Sequence, residues 1–139
     1  MKYSFRLITL MLAAGVSITA QYKDFILIAN PNLARAEISA SDLRQIYLGT
    51  KTTVLGRDVE PVVAASGRVH EQFVSACLGK TSAGLRNYFR NLVFTGKGSM
   101  PRSFGSSAEM VLYVARTPGA VGYVEAGVDL TGVVKLTLR

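Results

Sequence analysis

Short apolar runs and amphipathic stretches alternate along the chain, behind an N-terminal segment of a different kind. Leu7 to Ala14 is uncharged and apolar and continues through Gly15 to Ala20, with Lys2 and Arg6 ahead of it and no acidic residue. A positive start, an apolar middle and a small residue before the cut make the pattern of a secretory signal peptide, with Ile18 and Ala20 third-last and last before cleavage. A spanning helix needs about 20 consecutive apolar residues, and this stretch is shorter and interrupted by Gly15, Ser17 and Thr19. Residues 1–20 are therefore expected to be a cleaved signal, and 21–139 a single domain.

Within that domain, Phe25 to Ala29 is a continuous apolar run closed by Asn30-Pro31-Asn32, which predicts a buried strand entering a turn. Ser39 with Asp42 three positions on has the form of a capping box. Leu43, Ile46 and Tyr47 follow at helical spacing, and Gly49 ends the helix. Thr50 to Asp58 is polar and expected to be an exposed turn, and Val59 to Ala64 a second strand with Pro61 near its start. A helix is expected from Ser66-Gly67 to Gly79, and another from Thr81 or Ser82 with Leu85, Tyr88, Phe89 and Leu92 on one face. Thr95 to Arg102, with two Gly and one Pro, reads as a loop. Ser106 or Ser107 caps a last helix through Met110, Val111, Val114 and Ala115, which Pro118-Gly119 terminates. Val121–Val124 and Val133–Leu138 read as the final strands. This order predicts an α/β fold, a three-layer-like sandwich with a mixed central sheet flanked by helices.

Composition narrows the function. Loss of residues 1–20 leaves 119 of the 139, enough to bury a core without staples. The lone Cys77 has no partner for an internal disulfide and reads as a buried thiol among Phe73, Val74 and Leu78. Beyond residue 20 there are 14 Lys and Arg against 9 Asp and Glu, a net +5. Export and the scattered basic residues speak against nucleic acid. Anionic small ligands, the outer face of a membrane or an acidic partner suit the compartment better. With one His and one Cys no metal constellation is expected. His70, beside Glu71, reads as a surface residue, and no nucleophile–base arrangement is visible, so neither an enzyme nor a cofactor is expected.

Ile38–Gly49 (ISASDLRQIYLG) and Thr117–Val124 (TPGAVGYV) resemble segments of the phosphate-type periplasmic binding proteins. Asn30-Pro31 and the strand, Ser-Gly turn and helix of Pro61 to Phe73 fall where that family has them. The resemblance covers roughly 25–136 and concerns the second of the family's two lobes, as in a short single-lobe relative. It implies a phosphate-binding turn at a helix start, here Ser66, Gly67 and Arg68, where Arg68 stands in place of the family's Thr. A helix N-terminus offers unpaired N–H donors and partial positive charge, and Arg68 adds a bidentate fork.

A second candidate is the Gly96–Arg102 loop, with Lys97, Ser99 and Arg102 expected near the same ligand. An ordinary cap and an ordinary surface loop are the competing readings of the two segments. The expected function is a periplasmic, non-enzymatic phosphate or oxyanion binder of weak affinity, linked to ABC-type uptake or sensing. Its half-site would be completed by a homodimer or a membrane partner. The alternative is an accessory module with no small ligand, docking on a transporter, porin or sensor.

Overall fold

A computed structural model describes residues 24–139; the expected signal peptide lies outside them. The central sheet has four strands in the order β4-β7-β1-β8. These are β1 (Phe25–Ala29), β4 (Glu60–Pro61), β7 (Ala120–Glu125) and β8 (Val134–Lys135). β1 runs antiparallel to β7 and β8, while β4 runs parallel to β7, so the sheet is mixed as expected.

Alternation along β1 and β7 sends side chains to two separate cores. Phe25, Leu27, Ala29, Val121 and Tyr123 join α1 (Ala40–Leu48), α2 (Arg68–Phe73) and α3 (Ser82–Phe94) on one face. Ile28, Ala120 and Val124 join α4 (Ser107–Arg116) on the other. Burial on both faces explains why these strands read as continuous apolar runs. Gly122 lets α4 approach closely, since a Cβ there would lie 2.8 Å from Met110 Sδ.

The capping box forms as expected, with Ser39 Oγ accepting from Asp42 N–H and Asp42 accepting from Ser39 N–H. Asn30 caps a 3₁₀ turn over Pro31–Leu33. Its amide nitrogen donates to the carbonyls of Val114 and Ala115, tying the end of β1 to the end of α4.

Three expectations are corrected. The 50–58 turn is a small hairpin of β2 (Thr53–Val54) and β3 (Arg57–Asp58), pinned by the buried Val54 and turning through Leu55 and Gly56 at positive φ. The single strand expected at 59–64 is two. After β4, β5 (Val63–Ala64) leaves the main sheet to pair in parallel with β6 (Ser103–Phe104). The helix expected to reach Gly79 does so, but its last stretch, Val74–Leu78, is π-helical.

Candidate anion-binding cleft

β5 and β6 set the geometry. Being parallel, both deliver their C-terminal ends to the same edge, where each leads into a helix start; α/β sheets place ligands at such edges. Ser66-Gly67 connects β5 to α2, and Gly105-Ser106 connects β6 to α4. Ser66, Gly67, Arg68, Gly105, Ser106 and Ser107 line one cleft of about 300 Å³, with Tyr123 at its floor and Glu125 beside it.

Gly67 is the N-cap of α2 at φ 107°, a conformation that glycine adopts most readily. It has no side-chain cap, and its carbonyl accepts from Glu71 N–H. The first-turn amides of α2 therefore carry no capping oxygen. At α4 the Ser106 hydroxyl accepts from Glu109 N–H, leaving Ser107 and Ala108 amides ahead of the helical ladder. Arg68 is exposed and forms no salt bridge among the described residues.

Tyr123, missed as a site residue in the sequence, holds this edge together. Its ring stacks on Phe73 with centroids 3.8 Å apart. Its hydroxyl accepts from Ala64 N–H at 3.0 Å, just before the Ser66 turn, and lies 2.5 Å from His70 Nδ1. His70 is thus a buried residue and not a surface one. Burial holds its pKa below the usual value, with the Arg86 charge acting in the same direction and Glu71 opposing. The Tyr123 hydroxyl is pushed well up by burial. The only available signal was the coincidence of one His and one strand Tyr, which sequence spacing does not connect.

Lys97, Ser99 and Arg102 do not join this cleft. They line a separate groove of about 520 Å³, together with Lys51, Glu60 and Tyr88. The expectation of a shared ligand is therefore corrected: β5 and β6 carry the 96–102 loop to the end of their ladder opposite the Ser66 turn. Most of this groove's charge is already neutralised. Arg102 lies 3.8 Å from Glu60 and over the Tyr113 ring, and Lys51 pairs with Asp42 at 3.0 Å. Cys77 is half-buried, and burial pushes its thiol up to about 11. Among the described residues no cluster of three or more His, Cys, Asp or Glu could hold a metal ion.

No family model and no curated protein sequence matches the chain. Solved structures do match in fold. An ABC-type phosphate transport receptor from Vibrio cholerae superposes with a TM-score of 0.63 at 18% identity, over 83% of this chain and 46% of the receptor. A putative phosphate ABC transporter substrate-binding protein from Clostridium perfringens, with bound phosphate, gives 0.57 at 18% identity, over 83% of this chain and 45% of that one. The chain spans less than half the length of either. It has the mixed α/β fold of one domain of phosphate-type binding receptors.

Proposed function

We propose that the chain is an exported, non-enzymatic oxyanion-binding module, with phosphate the leading ligand, acting in ABC-type phosphate uptake or sensing. The observation that carries this reading is the convergence of two helix starts, Gly67-Arg68 and Ser106-Ser107, on one cleft beside an uncommitted guanidinium. It is supported by the solved structures that share the fold, one an ABC-type phosphate transport receptor and the other a putative substrate-binding protein holding phosphate. Export rests on residues 1–20 and on that same likeness. The non-enzymatic reading is supported by two described residues: His70 is engaged with Tyr123, and the Cys77 thiol stays protonated at neutral pH.

The site is open to solvent, so charge-assisted bonds in it are weak unless a second surface closes over them. Calorimetry on the monomer should therefore find at most weak phosphate binding. Thermal denaturation is the more sensitive test, since a ligand at 100 times its Kd adds about 2.7 kcal/mol. Phosphate, and not chloride at equal ionic strength, should raise the Tm of the wild type, and Arg68→Glu should abolish the rise. A rise that survives Arg68→Glu would place the anion elsewhere. The second reading, a docking module without a small ligand on a transporter, porin or sensor, is favoured by Glu125, which puts a carboxylate at the rim. It gains if no anion shifts the Tm.

A further inference from the structure

The outer face of α3 is unlike the rest of the surface. From Gln72 to Ala108 the chain contains no Asp or Glu and five basic residues, Lys80, Arg86, Arg90, Lys97 and Arg102. The helical period puts Val93, Arg86, Arg90 and Phe94 on one side of α3, running from the edge of the stripe that buries Leu85 and Phe89 round to the far face at Phe94. All four are exposed; Phe94 is 91% exposed and Val93 49%. Lys97 follows on the loop that leaves the helix, and Met100 is also exposed. Lys80 lies over the Tyr88 ring and Arg102 faces Glu60, but Arg86, Arg90 and Lys97 form no salt bridge among the described residues. Basic residues that look scattered in sequence are thus gathered by α3 around a protruding aromatic ring.

We propose that this face docks on an anionic phospholipid surface, with Phe94 and Val93 entering the interface and Arg86, Arg90 and Lys97 meeting the headgroups. Charge decides among occupants. A second copy would bring the same uncompensated cations face to face, so a symmetric dimer here is opposed by like-charge repulsion. An acidic protein would complement the charge but would need a shaped cavity for Phe94. A bilayer accepts an apolar side chain at any position along its interface, and basic residues beside one reinforce the attachment. The face is separate from the proposed anion cleft, which none of these residues lines.

Co-sedimentation with vesicles tests this, with identical N-terminal residues in every variant. Wild type should bind equimolar phosphatidylglycerol–phosphatidylcholine vesicles and leave pure phosphatidylcholine vesicles in the supernatant. Binding should collapse between ~50 and ~500 mM salt as the charges are screened. Each cation contributes about fivefold, so the Arg90→Glu/Lys97→Glu pair should weaken binding by ~25-fold or more. Phe94→Ser should weaken it by ~10-fold. All these side chains are exposed, and unchanged circular dichroism and Tm would show the variants folded. Equal binding to both vesicle types, or binding indifferent to Phe94→Ser and to the charge reversal, overturns the proposal. So does failure on vesicles with capture of soluble polyglutamate, which points to an acidic protein. Concentration-dependent dimerisation abolished by Phe94→Ser overturns it in favour of a second copy. None of these outcomes bears on phosphate at Arg68.

Discussion

The hydroxyl of Tyr123 joins His70 Nδ1 to the backbone of Ala64, so a single atom connects α2, β5 and the centre of the sheet. Because His70 is buried and its pKa lies below the usual 6.5, the unfolded chain binds the extra proton first as pH falls. Stability from this group is complete above pH 6.5 and is lost as pH drops through the folded value. Urea midpoints should therefore decline from pH 7 to pH 5, and His70→Gln should flatten that decline. An unchanged slope in the variant would assign the titration to another group.

Tyr123→Phe keeps the stacked ring and removes the oxygen. It strands the Ala64 N–H and His70 Nδ1, and one orphaned buried polar group costs about 1–3 kcal/mol. Chemical denaturation should show a loss in that range. Loss of more than this would mean that the ring had shifted off Phe73 as well.

The acid limb has a separate origin in α1. The Ser39 N–H, followed by Lys51 and the Ser39 hydroxyl, holds Asp42 at about 2 against an ordinary 3.8. That contribution is present above pH 3.8 and disappears as pH falls through about 2. Ser39→Ala should cost about 1 kcal/mol at pH 7 and raise the Asp42 carboxyl pKa, which carbon-detected NMR titration would report. The backbone donor survives Ser39→Ala, so the rise should be small there and add to that of Lys51→Met; an Asp42 pKa unmoved in the double variant would contradict the assignment.

Glycines that look alike in sequence separate in the structure. Gly119 sits at φ 80°, and a Cβ there would lie 2.0 Å from the Asp58 carbonyl oxygen, whereas Gly49, at φ 81°, faces open space. Gly119→Ala should cost more than about 2 kcal/mol and Gly49→Ala about 1 kcal/mol. Similar melting temperatures for the two variants would be inconsistent with that contact.

What could be read from the sequence followed the reach of each signal. α1 was legible because Ser39, Asp42 and Gly49 are local signals, and β1 and β7 because burial on both faces leaves continuous apolar runs. The β5–β6 pairing was not, since Val63 and Ser103 are joined by a parallel ladder across forty residues with no local mark. That ladder sends Ser66 to the edge occupied by Ser106 and leaves Lys97 at the far end. The anion candidate was therefore half visible: its helix start showed in Ser66-Gly67, and its second wall did not. His70 was misread for a related reason, because its partner Tyr123 lies fifty-three residues away.

The cleft itself contains opposed charges, which makes its electrostatics testable by substitutions of opposite expected sign. Arg68 and two helix starts favour an anion, while Glu125 lines the same space and disfavours one. Arg68→Glu should remove phosphate-dependent stabilisation, and Glu125→Gln should strengthen it. At an effective dielectric of about 20, one unit charge removed several ångströms away is worth roughly 1–3 kcal/mol before screening, and screening at an exposed site reduces this to below about 1 kcal/mol. The Glu125→Gln protein should therefore bind phosphate up to about fivefold more tightly, with the difference shrinking as salt rises. Both residues are exposed, so neither change should alter the Tm without phosphate by more than about 3 °C. If Glu125→Gln leaves phosphate stabilisation unchanged while Arg68→Glu removes it, the anion sits on the α2 side of the cleft, beyond reach of Glu125. If neither substitution alters phosphate stabilisation, the convergence of α2 and α4 is architectural and the anion sits elsewhere; the docking reading gains only if no anion raises the Tm of the wild type.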